Sequence, residues 1–166
     1  NRDAIESLGR EYNLEYRVFP CDHKGKMTPQ LTDMAAVLHC AGPFSSTSRP
    51  MAEACMHTGT HYLDITGEIG VFEKIFKNSK KFEDAGVIAV PGVGFDVVPS
   101  DCLAAMLKER CPKAQELELY LKTSATLSPG TAKTMIEGFF SGSAIRKNGS
   151  IVLQRKFLTG SASVFG

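Results

Sequence analysis

Apolar positions along the chain follow two alternating rhythms, one helical and one strand-like. Ile5, Leu8 and Tyr12 share a helical face, which predicts a helix over residues 3–12. Glu15 to Pro20 reads as a strand, and residues 27–33 as a short polar turn or helix opened by Thr28-Pro29. The run Ala35-Ala36-Val37-Leu38-His39-Cys40, bounded by Gly42-Pro43, is short and apolar, the pattern of a strand buried on both faces of a parallel sheet. Ser45 to Ser48 are helix-capping types, so a helix is expected over Arg49 to Thr58, with Met51, Ala54, Cys55 and Thr58 on one side. Gly59 ends it and His61 to Ile65 forms the next strand. Residues 69–85 are amphipathic: Val71, Phe72, Ile75, Phe76, Ser79 and Phe82 share a face, and Lys74, Lys77, Lys80 and Lys81 lie mostly opposite. Val87 to Val90 is another buried-type strand, followed by the loop Pro91-Gly92-Val93-Gly94. Pro99 then opens a helix carrying Cys102, Leu103, Met106 and Leu107, which Pro112 closes.

Helix and strand thus alternate through residues 1–112, and parallel pairing with right-handed crossovers is the default for that order. The expected architecture is a doubly wound α/β sheet of Rossmann type. After Pro112 the rhythm changes. Leu117, Leu119 and Leu121 alternate with Glu118 and Tyr120 as in a strand with one polar face. A helical stretch near 131–141 follows, then Asn148-Gly149 as a hairpin turn and a strand over 150–158. Residues 113–166 are therefore expected to begin a second, α+β domain.

Composition narrows the classes. Lys and Arg number 19, Asp and Glu 18, for a net charge of +1, so nothing marks a nucleic-acid partner or an anionic membrane. No apolar run of about 18 residues predicts a transmembrane helix. The five cysteines are odd in number, widely spaced and without a C-x-x-C pair, which reads as reduced thiols in a cytoplasmic protein.

Ligands of open α/β sheets bind beyond the carboxyl ends of the strands. At those ends stand Asp22, then Ala41-Gly42-Pro43-Phe44, then Thr66-Gly67-Glu68, then Gly92-Val93-Gly94-Phe95-Asp96. Turn chemistry alone also favours such residues. Gly92-x-Gly94 invites a dinucleotide fingerprint, yet Val97 replaces the third glycine and Pro99-Ser100 places the helix late. His57 and His61 have a zinc-compatible spacing, but Gly59 between them favours a helix-end and a strand-start histidine; no metal site is expected. Cys40 reads as a small buried hydrophobe in preference to a nucleophile, the lysine face as solvated surface, and Phe72, Phe76 and Phe82 as core.

Three segments in order, Cys40-Ala41-Gly42-Pro43-Phe44, Tyr62-Leu63-Asp64-Ile65-Thr66-Gly67-Glu68 and Gly94-Phe95-Asp96-Val97-Val98-Pro99-Ser100-Asp101, resemble successive motifs of the saccharopine dehydrogenase-like oxidoreductases. The branch that includes trans-acting enoyl reductases is the nearest in pattern. Ser128-Pro129-Gly130-Thr131-Ala132 with Gly138 resembles the start of that branch's second domain. The resemblance spans roughly residues 35–150.

It implies a Rossmann domain whose first strand and G-x-x-G-x-x-G loop would precede Asn1, so that residues 1–112 are its C-terminal part and 113–166 begin a substrate or dimerisation domain. The implied cofactor is NAD or NADP, with Arg2 leaning towards NADP. By the same resemblance Ala41, Gly42, Pro43 and Phe44 pass near the nicotinamide ribose, Asp22 sits near the adenine, and Gly94 to Asp101 lines the far side of the cleft. A small Gly42 lets the backbone approach a cofactor. Tyr62, Asp64, Glu68, Asp96 and Asp101 are the candidate proton donors. The implied activity is hydride transfer to or from a C=C, C=O or C=N bond of a small-molecule or lipid-like substrate, in a possible homodimer. A non-catalytic nucleotide-binding or interaction protein on the same fold is the alternative.

Overall fold

A computed structural model of the chain describes residues 2–120, 132, 136 and 143–154. The chain divides into two compact units, Asn1–Pro99 and Ser100–Gly166. The first unit holds α1 (Arg2–Glu11), α2 (Lys24–Leu31), β1 (Ala36–His39), α3 (Phe44–Thr58), β2 (His61–Asp64), α4 (Ile69–Lys77), α5 (Ser79–Asp84) and β3 (Ala89–Val90). Its strands form a parallel sheet in the order β1-β2-β3, with Ala36 opposite His61 and Tyr62 opposite Ala89. The α/β class and parallel pairing expected from the rhythm are those observed.

Strand period two decides what is buried. Val37, Tyr62 and Ala89 are register partners, as are His39 and Asp64, so these residues face one way. That face packs under the helices, and the core runs through Met27 and Leu31 of α2, Met51, Ala52, Ala54 and Cys55 of α3, Tyr62, Val71 and Ile75 of α4, and Phe82. Gly59 takes φ +74° just past α3, and its N–H donates to the Cys55 carbonyl, ending the helix where a glycine is expected.

Several expectations need correction. The stretch 15–20 pairs with no strand among the described residues. Arg17 there forms an ion pair with Asp33, and residues 14–17 and 19 border a groove of about 550 Å³ beside β1. A β rhythm supplies the alternation but not a neighbour to bond. β1 is not buried on both faces: Leu38 is 59% exposed, with no element among the described residues of its unit covering that side. α2 starts at Lys24, capped by the His23 side chain, and holds Pro29 inside it instead of at its start. The amphipathic run 69–85 breaks at Asn78 into two helices, and Phe76, at the edge of the apolar face of α4, is 65% exposed while Val71, Ile75 and Phe82 are buried.

In the second unit, α6 (Val98–Arg110) begins at the unit boundary and buries none of its side chains. Residues 114–120 form no strand. β4 (Ser143–Lys147) and β5 (Ser150–Gln154) pair antiparallel around Asn148 and Gly149, at φ +51° and +79°, the left-handed pair that a two-residue hairpin turn requires. Ala132 and Ile136 are helical; Ser128 to Thr131, Gly138 and residues 155–166 lie outside the described residues.

Candidate functional site

The carboxyl ends of β1, β2 and β3 give three loops of the first unit, and a single chain of hydrogen bonds joins them. It starts from Asp64, the last residue of β2, whose side chain is fully buried. A buried carboxylate must find its donors inside the protein. Its Oδ2 accepts from the Tyr62 hydroxyl at 2.6 Å; its Oδ1 accepts from the backbone N–H of Thr66 at 3.0 Å and of Gly92 at 2.9 Å. The Asp64 carbonyl accepts from Val93 N–H at 2.7 Å. One residue therefore fixes the loops after β2 and β3 against each other.

The chain continues outward. Thr66 is buried, and its Oγ1 accepts from Glu68 N–H at 3.0 Å. Half-buried Glu68 then reaches across, its Oε1 accepting from the Phe44 N–H at 2.9 Å. That bond corrects the expected start of α3. The helix opens at Phe44 and not at Arg49, its N-cap Pro43 offers no side-chain cap, and the acceptor comes from a residue 24 positions away. A carboxylate is well placed at a helix N-terminus, where unpaired N–H groups carry partial positive charge.

The loop after β1 is held from its own side. The Gly42-Pro43 peptide is cis. Thr47 Oγ1 donates to the Ala41 carbonyl at 2.7 Å and lies 2.9 Å from His39 Nε2. A hydroxyl has one hydrogen, so with that hydrogen on Ala41 it is His39 Nε2 that carries its own proton and donates. The His39 ring meets the Phe44 ring edge-on at 5.4 Å. Burial lowers the His39 pKa, opposed in part by Asp64.

Gly92 takes φ +75°, and a Cβ on it would come within 2.4 Å of Phe72 Cζ; one on Gly94 would come within 3.0 Å of Ile65 Cβ. Both glycines of the apparent fingerprint thus serve close packing, and Gly92 also serves the bond to Asp64.

The structure brings together Ala41, Gly42, Pro43, Phe44, Tyr62, Asp64, Glu68 and Gly94. Ala41 and Gly42 are exposed, and Phe44 is buried beneath them. Tyr62 and Asp64 face inward and each other; burial, then the bond to Asp64, pushes the Tyr62 hydroxyl far above its ordinary pKa, so it holds its proton. Asp22 lies exposed in the loop before α2, and Asp96 exposed two residues after Gly94. Asp101 belongs to the second unit, exposed in the first turn of α6. Cys40 is exposed, contrary to the buried reading, while Cys55 is the buried thiol, its pKa pushed up to about 12 by burial. His61 accepts from Ile88 N–H through Nδ1, and among the described residues no three His, Cys, Asp or Glu side chains converge as a metal site. Sequence reasoning missed His39 and Thr47. The signal available was a histidine closing an apolar strand with a hydroxyl one helical turn into the next element.

Residues 4–90 match the family described as the saccharopine dehydrogenase NADP binding domain. The chain belongs to this family. It is 28% identical over 158 residues to the saccharopine dehydrogenase-like oxidoreductase of Mus musculus, covering 89% of this chain and 37% of that protein. It is 30% identical over 105 residues to the trans-acting enoyl reductase of Mycobacterium ulcerans, covering 60% of this chain and 24% of that protein. A third relative, from Arabidopsis thaliana, is named "probable mitochondrial saccharopine dehydrogenase-like oxidoreductase" and is 35% identical over 71 residues, 42% of this chain and 16% of its own length. The chain spans little more than a third of the length of the animal relatives it matches.

The cofactor of this saccharopine dehydrogenase-like domain is NAD or NADP, as the family match directs. The residues present fit one end of such a molecule: exposed Ala41 and Gly42 offer backbone with no side chain larger than a methyl, on a loop braced from both sides. Among the described residues no helix is long and apolar enough to cross a membrane.

Proposed function

We propose that the protein is an NAD(P)-dependent oxidoreductase that transfers hydride to or from a C=C, C=O or C=N bond of a small-molecule or lipid-like substrate. The observation that carries this reading is the bracing of three carboxyl-end loops into one surface within a chain of this NADP-binding family. Ala41, Gly42, Pro43 and Phe44 border the nicotinamide end, with Gly94 on the neighbouring loop and Asp22 towards the adenine. The chain's part is to orient the cofactor and exclude water, and the cofactor carries the hydride.

Tyr62 and Asp64 act from inside as supports. Exposed Asp96 and, in the second unit, exposed Asp101 are candidate proton donors. Residues 113–166 begin the substrate and dimer-forming domain. The supporting relatives are named oxidoreductase and enoyl reductase. Five free cysteines favour a reducing compartment, for which we propose the cytoplasm; the mitochondrial name of the Arabidopsis relative makes organelle fractionation the check.

The test is consumption of reduced nicotinamide by the intact protein across a panel of enoyl, carbonyl and imine substrates. Substrate-dependent loss of the reduced-nicotinamide absorbance is the expected result. Tight cofactor binding with no turnover on any of the panel would instead favour the non-catalytic, nucleotide-binding alternative.

A further inference from the structure

We propose that Glu68 is a positioning residue for the cofactor, acting through the Phe44 amide to set the Ala41–Phe44 turn. This rests on the reading above that the turn borders the nicotinamide end.

The turn connects β1 to α3 and has two ends to hold. At its start, the Ala41 carbonyl is held by Thr47 Oγ1. At its finish, the Phe44 N–H has no capping side chain from Pro43, and the Glu68 carboxylate supplies the acceptor. Glu68 is in turn aimed by its own N–H on Thr66 Oγ1, and Thr66 by its N–H on Asp64. The exposed residues of the turn, Ala41 and Gly42, have no side chain able to brace themselves. Their backbone position is inherited from Glu68 on one side and Thr47 on the other. Glu68 is also among the candidate proton donors, and its bond to the Phe44 N–H gives its Oε1 the role of holding the turn.

The two roles make opposite predictions for the conservative variant. A glutamine at this position keeps an oxygen that accepts from Phe44 and loses only the charge. A proton-transfer group has no such substitute.

The experiment titrates NADPH and NADH into the intact protein, following nicotinamide fluorescence, for wild type, Glu68→Gln and Glu68→Ala. Amide exchange at residues 41–44 is read in the same samples. Losing the charge-assisted bond to the Phe44 N–H predicts a dissociation constant raised about tenfold in Glu68→Ala. It also predicts faster exchange at Phe44, and Glu68→Gln is expected near wild type in both readouts. Thr66→Val, which removes the acceptor that aims Glu68 while keeping the side-chain shape, should weaken binding in the same direction, and it serves if Glu68→Ala does not fold. Unchanged binding in both Glu68→Ala and Thr66→Val would overturn the proposal, as would a Glu68→Gln protein as impaired as Glu68→Ala. If wild type binds neither dinucleotide, the underlying cofactor reading fails instead, and Phe44 exchange still reports whether Glu68 sets the turn.

Discussion

Asp64 has no contact with water, and its two oxygens accept three internal donors: a phenol and two backbone amides. Removing the acceptor leaves those donors buried and unpaired, at about 1–3 kcal/mol for each such group, partly offset by relief of the buried charge. Asp64→Ala should therefore lower the unfolding free energy by about 3 kcal/mol and Asp64→Asn by about 1 kcal/mol, read from urea denaturation of the intact protein. Equal, small losses for both would mean that the carboxylate does not hold these loops.

His39 gives a pH dependence with a definite sign. Burial depresses its folded pKa, so the unfolded chain binds the proton more readily. The stabilisation is complete above the ordinary imidazole value of about 6.5 and is lost as pH falls through the depressed folded value. The urea midpoint should drop between neutral and mildly acid pH in wild type, and His39→Gln should flatten that drop; parallel curves would contradict it. Tyr62, Asp64 and Glu68 were legible in the sequence as noteworthy polar residues. Their roles were not, because strand alternation places Tyr62 and Asp64 on one face without saying whether that face looks to solvent or to the core.

At the scale of elements, the periodic helices and β1, β2 and the hairpin turn were readable because each carries its own signal in its own residues. The start of α3 was not, since its cap is Glu68, 24 positions away. Nor was the unpaired stretch 15–20, whose state depends on a neighbour and not on its own alternation. The loop glycines separate two effects that the sequence presents alike. Gly59 and Gly92 share nearly the same φ, +74° and +75°, but a Cβ at Gly59 meets nothing within 4 Å while one at Gly92 runs into Phe72. Gly59→Ala should cost about 1 kcal/mol for the left-handed backbone alone. Gly92→Ala should cost clearly more and should also disturb the loop that Asp64 binds. Matched denaturation midpoints for the two would remove steric packing from the account.

At the scale of the whole chain, the open edge of β1 and exposed Leu38, Val90 and Ile88 leave apolar sheet surface uncovered within the first unit. Unpaired strand edges and broad apolar patches favour association. Residues 1–166 in isolation are predicted to self-associate in sedimentation velocity; a monomer that melts cooperatively would contradict this.

Above all, the three carboxyl-end loops are expected to act as one cofactor-bordering surface. Hydrogen exchange of the intact protein with and without NADPH tests it most directly. Cofactor is expected to slow exchange together over residues 41–44, 65–68 and 91–95, with the interior of α4 and α5 unchanged. Protection confined to other regions, or none at saturating cofactor, would contradict it.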